Sequence, residues 1–125
     1  MARSFSRPVL AAIDGSKIVG VRAGSRSDHR FTGIWAVVVE GRVFVRSWTL
    51  KAGGWNRTLL EDPNGAIQIG ERQLRIRAAP VRSERLLAAV EDAYARKYST
   101  PGSLKYVRGF RTPRRRQSTL ELTPR

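Results

Sequence analysis

The side chains best suited to chemistry lie in one stretch, FTGIWAVVVEGRVFVRSWTLKAGGWNRTLLEDPNGAIQIG. It holds all three tryptophans, Trp35, Trp48 and Trp55. Arg46 falls between Phe44 and Trp48 on one face of an extended run, a placing that a plain solvated face does not explain. Indole and phenyl rings offer flat apolar surface, and a guanidinium fork pairs bidentately with phosphate or carboxylate. A hairpin, a glycine loop, a tryptophan-led turn and a further strand follow in that order. Other chemistry is thinly represented. The chain has no cysteine, which removes disulfides and thiolate metal sites, and His29 is its one histidine. A Ser-His-acid triad has only that imidazole to draw on, with Asp28 as its one acidic neighbour. No metal site and no catalytic residue is assigned.

These groups need a scaffold, and 125 residues supply one domain with a real core. The 24 Lys and Arg against 10 Asp and Glu give a formal charge of +14, carried mostly by arginine. Such a field concentrates polyanions: nucleic acid, a cofactor phosphate or an acidic substrate. The plainer reading is a chain that prefers arginine on solvated faces. No run approaches the roughly 20 apolar residues of a membrane span. The apolar patch Val9 to Ile13 is short for a secretory segment. A cytoplasmic, soluble protein without membrane contact is expected.

Residues 1–16 read as a loosely held arm, with Val9 to Ile13 able to dock on the body, and 17–125 as the single domain. Lys17 to Arg22 is strand-like, and GSRSDHR is a polar loop. Ile34 to Val39 is apolar on both sides and predicts a central strand, with Trp35 in the core. Glu40-Gly41 closes a hairpin onto Val43 to Trp48. Trp55 to Leu60 predicts a short helix, stopped by Pro63 and Gly65. A second hairpin turns at Gly70-Glu71, and Leu74, Ile76 and Ala78 point inward. Ser83 caps a longer helix to about Tyr98, buried along Leu86, Val90, Ala93 and Tyr94. Residues 99–118, rich in Gly, Pro and Arg, read as a solvated connection. TLELT (119–123) returns as a strand. The expected architecture is mainly β (α+β): six antiparallel strands with one short and one longer helix.

The motifs V-R-S-W, W-N-R-T-L-L, D-P-N-G and I-Q-I-G, in this order after an Arg-Ser loop, resemble the split β-barrel superfamily. That group contains pyridoxamine-phosphate oxidases and deazaflavin-dependent nitroreductases. The helix end A-Y-A-R-K-Y and the tail T-L-E-L-T-P-R are similar to its uncharacterised bacterial branch, domain of unknown function 2255. The resemblance covers 17–125. It implies a homodimer with flavin mononucleotide (FMN) or a deazaflavin at the subunit seam. By position it carries cofactor contacts onto Arg26 and Ser27 in the first loop and onto Arg46 and Ser47 at the hairpin end. Lys51, Trp55 and Arg57 follow in the next loop and turn. Trp35, Lys97 and Tyr98 are the candidate substrate contacts. The sequence departs from the family pattern in the first loop, where Asp28 follows Ser27.

Each of these residues has a plainer role as well. Arg46 can stack on Phe44 or Trp48, Trp55 can anchor its helix, and Trp35 can be core. Tyr98 can complete the apolar stripe of its helix while Lys97 serves the helix dipole. His29 reads as a bystander. Three functions remain open: a flavin- or deazaflavin-binding oxidoreductase acting on a small electron acceptor, a basic nucleic-acid-binding barrel, or a structural or binding dimer without cofactor. Nucleic acid ranks second because the aromatics sit in a packed hairpin and the arginines are spread around the chain.

Overall fold

The computed structural model describes residues 4–25 and 30–125. Helix α1 (Arg7–Gly15) leads into strands β1 (Val19–Ala23), β2 (Thr32–Ile34), β3 (Ala36–Val39) and β4 (Arg42–Val45). Helix α2 (Trp55–Glu61), strands β5 (Asn64–Ile69) and β6 (Arg72–Pro80) and helix α3 (Glu84–Lys97) follow. Helices α4 (Pro101–Gly109) and α5 (Pro113–Arg116) precede the last strand, β7 (Leu120–Pro124). The strands form one antiparallel sheet in the order β2-β1-β5-β6-β7-β4-β3.

That order explains the curvature. The two edge strands, β2 and β3, are separated in the chain by a single residue, Trp35. Opposite edges of a seven-stranded sheet can meet across one residue only if the sheet curls round, and here it makes a nearly closed barrel. The sequence predicts six strands and one central strand over Ile34 to Val39. The described residues instead hold seven strands, because that apolar run breaks at Trp35 and each half serves a different edge.

The barrel is filled by alternate residues of its strands, among them Val19, Val21, Val43, Val45, Ile67, Ile76, Leu120 and Leu122. A second apolar layer lies between the outer face of the β3–β4 hairpin and the helices. Val37 and Phe44 meet Leu86, Val90, Ala93, Tyr94, Tyr98, Val107 and Phe110 there. The hairpin is therefore buried on both faces, as its unbroken apolar run requires. Its two-residue turn has Glu40 at φ 55° and Gly41 at φ 71°, the left-handed pair such turns demand. The Glu40 carboxylate pairs with Arg85 of α3 at the surface.

Two other segments depart from expectation. The N-terminal arm is a helix capped by Ser6, whose Phe5, Val9 and Ile13 are buried in the barrel core. Residues 99–118 are mostly helical. Thr100-Pro101 and Thr112-Pro113 start α4 and α5 with proline at the first turn, where its missing N–H costs nothing. Ser103, Val107 and Phe110, at helical spacing, are the buried face of that segment.

Asp62 joins the end of α2 to the end of β1. Its carboxylate accepts from Ser25 N and Oγ, both at 2.9 Å, and from Asn64 N at 3.2 Å. The Ser25 bonds, then those of Asn64, hold its pKa below the ordinary carboxylate value. With the native pKa below the unfolded one, the clip contributes fully above the unfolded pKa. It is lost as pH falls through the native pKa. The Ser25 amide proton resonance should therefore titrate at a pH below that of a free aspartate, and Asp62→Asn should abolish the titration. A Ser25 amide that follows an unshifted carboxylate curve would refute the clip. Separately, Ile13 is fully buried, so Ile13→Ala should cost about 2–5 kcal/mol in denaturant unfolding. A loss under about 1 kcal/mol would mean that α1 does not belong to the core.

Candidate functional site

Arg46 is where strand β4 leaves the sheet. The register Ala36↔Val45, Val37↔Phe44, Val38↔Val43 would next pair Trp35 with Arg46. After a two-residue hairpin that pair is a hydrogen-bonded one. The Tyr94 hydroxyl occupies the gap instead. It accepts from Arg46 N at 2.9 Å and donates to Trp35 O at 2.6 Å. On the other flank the pairing with β7 ends at Val45↔Leu120. Beyond it, Ser47 N donates to Ser118 Oγ at 2.9 Å, and Arg46 Nε to Thr119 Oγ1 at 2.7 Å. Side-chain hydroxyls thus replace backbone partners on both sides, and the chain splays outward from residue 46.

The splay opens a cleft of about 580 Å³. Trp35, Trp48, Trp55, Tyr106 and Phe110 wall it, with Thr32 and Gly33 of the sheet edge on one side and Thr49, Lys51, Gly53 and Gly54 on the other. None of the lining residues is acidic. The rings hold one another in place. Trp35 lies flat on Tyr98, 4.0 Å between centroids and 5° between planes. Tyr106 stands edge-on to both Trp35 and Trp48. The Arg115 guanidinium covers Trp48 at 3.7 Å, and its Nε donates to the Trp48 carbonyl at 3.0 Å. The rim of the Trp48 ring presses so closely on Gly109 that a Cβ there would stand 2.3 Å from Cζ3.

Arg46 lines the cleft, yet its guanidinium is engaged within the protein. Besides Thr119 it donates to Leu87 O at 2.9 Å, Phe110 O at 3.2 Å and Glu91 at 3.4 Å, and the residue is 1% exposed. Burial lowers its pKa and Glu91 opposes that shift. Glu91 also receives Arg116, which pairs in turn with Glu84. Two guanidiniums face two carboxylates, so the local charge is balanced. Among the described lining residues, Lys51, exposed on the rim, is the cation left to offer an anion.

The expected site residues therefore separate. Trp35, Arg46, Lys51 and Trp55 meet at the cleft. Ser47 is buried, and its hydroxyl donates to the Thr49 carbonyl. Arg57 is exposed on α2, away from the lining. Tyr98 is buried behind Trp35 and donates to Lys17 O at 2.7 Å. Lys97 lies at a smaller hollow with Asp14 and Arg96, donating to Ile13 O and Ala36 O at 2.9 and 2.6 Å. Burial lowers its pKa. Arg26, Ser27 and His29 lie outside the described residues. Among the described residues no cluster suited to a metal ion occurs, and no helix is long and apolar enough to cross a membrane. Tyr106 and Phe110 were missed by the sequence reading. The signal was present in the Thr-Pro helix starts and in the 103/107/110 spacing, but the arginines around it masked an amphipathic helix.

Over residues 9–122 the sequence matches the family described as "Uncharacterized protein conserved in bacteria (DUF2255)". No curated protein matches it. The fold is similar to the crystal structure of a conserved hypothetical protein, Rv2991, from Mycobacterium tuberculosis. The TM-score is 0.59 at 13% identity, covering 97% of this chain and 79% of that one.

Replacing Tyr94 by Phe removes the bridging hydroxyl and strands a buried N–H and C=O. The expected cost is about 1–3 kcal/mol of unfolding free energy, with Trp35 fluorescence altered in the native state. A variant as stable as the parent would show that the splay does not need the bridge.

Proposed function

We propose that this chain, which belongs to the bacterial family DUF2255, holds a flat phosphorylated ring cofactor, FMN or a deazaflavin, in its aromatic cleft. The observation that carries this reading is the cleft itself. Stacked and edge-packed rings (Trp35, Trp48, Tyr106) form walls, and among the described residues no carboxylate lines them. Its volume of about 580 Å³ is in the range of small-molecule sites. The ring walls fit a planar heterocycle, and Lys51 beside the Gly53-Gly54 turn fits its phosphate. Arg46 is left out of the phosphate contacts because its donors are already taken.

When bound, such a ring supplies hydride or electron transfer, which accounts for a site with no acid–base pair of its own. The side chains then orient the ring and exclude water, and a small electron acceptor is the natural co-substrate. This reading places the chain among the split β-barrel proteins. It also sets a second copy along β2, the outer sheet edge whose Thr32 and Gly33 are exposed beside the cleft.

Titration with FMN and with a deazaflavin should quench tryptophan fluorescence saturably and perturb the ring absorbance. Gly109→Ala pushes on Trp48 and should weaken binding about tenfold or more. Lys51→Gln should weaken FMN more than phosphate-free riboflavin. Absence of any saturable signal at high micromolar ligand would end the cofactor reading and leave a barrel serving as a structural dimer.

A further inference from the structure

We propose that the α4–α5 face binds single-stranded nucleic acid. From Ala93 to Leu120 the sequence contains no acidic residue, and Lys105, Arg108, Arg111 and Arg114 recur every third position. All four are exposed. Among the described residues none of them has a carboxylate at ion-pair distance. Their neighbours in the arginine run are employed otherwise. Arg115 covers Trp48, and Arg116 is neutralised by Glu84 and Glu91. Four free cations thus lie along α4, the turn after it and α5, in a stretch that carries no carboxylate to offset them.

Aromatic surface borders it. Tyr106 is 38% exposed with Lys105 beside its ring, and Trp48 is 39% exposed. Both stand at the mouth of the cleft. Cations that follow a backbone, next to rings on which bases can stack, are the ingredients of sequence-tolerant single-strand binding. A duplex hides the faces of its bases and gains nothing from Tyr106 or Trp48, so the rings favour a single strand. An anionic membrane would use the charge but not a ring set back in a cleft. This inference shares Tyr106 and Trp48 with the cofactor cleft but rests on cations outside its lining, so the salt slope measured without cofactor tests it apart from the cofactor reading.

The test is fluorescence anisotropy of the full chain with a labelled single-stranded oligonucleotide, the matching duplex and anionic phospholipid vesicles, over a salt series without cofactor. The single strand should bind best. With four phosphate contacts, the logarithm of its affinity should fall against that of salt with a slope near −2.8, about −0.7 per contact. Arg108→Gln, Arg111→Gln and Arg114→Gln together should flatten that slope by about two. The charge-matched change of Arg72, Arg75 and Arg77 to Gln, on an exposed stretch of β6, should leave it nearly intact. Tyr106→Ala should weaken binding about tenfold without altering the slope. Equal losses from the two triple variants, equal binding of duplex, or binding of vesicles alone would each overturn the proposal. Circular dichroism of each variant separates lost binding from lost fold.

Discussion

One hydroxyl stands where a backbone hydrogen bond belongs, and most of the molecule's character follows from it. Tyr94 reaches from α3 through the second apolar layer to hold Arg46 N and Trp35 O apart. Burial drives its pKa up, so the group stays neutral and serves as donor and acceptor at once. An antiparallel pair that would have continued is stopped without leaving either backbone group unsatisfied. No buried side-chain polar atom among the described residues lacks a partner. The opening beside Trp35 is thus built into the fold, at the one place where the sheet needs a seam.

Arg46 complements this arrangement. A guanidinium taken out of water is expensive to leave unpaired. Here it meets acceptors from α3, from the end of α4 and from the segment before β7. It ties four elements together where backbone pairing has ceased. A long cation with five donors can do this; an apolar residue of the same volume would leave the Phe110 carbonyl and the Thr119 hydroxyl short of a donor. The residue that resembles a phosphate ligand by its type and place is the brace that keeps the site's walls at their spacing.

The elements legible in the sequence are those whose signals are local. The Glu40-Gly41 turn, the Ser83 cap and the alternation of Leu74, Ile76 and Ala78 each follow from a few adjacent residues. The alternation of the Val43 to Trp48 run is local too, and the structure turns Val43 and Val45 to the barrel and Phe44 to the outer layer. Trp35 could not be read correctly, because its role comes from topology. Only the strand order reveals that the chain crosses from one sheet edge to the other there. Arg46 is the same kind of case, since its partners lie 41 to 73 residues away. The helices of 99–118 are a different one. Their caps and spacing are local, but the density of arginine hides the apolar period.

Trp35 closes the sheet and also walls the cleft, so one indole answers to two demands. Any molecule that settles on its face touches the hinge of the barrel, and occupancy must report itself as resistance to heat. The same double duty narrows what inheritance can alter. A lineage adapting this cavity to a new guest has little freedom at position 35. It must instead vary the exposed groups of the opposite loop, at Thr49 and Lys51, which can change without unfastening the wall they face.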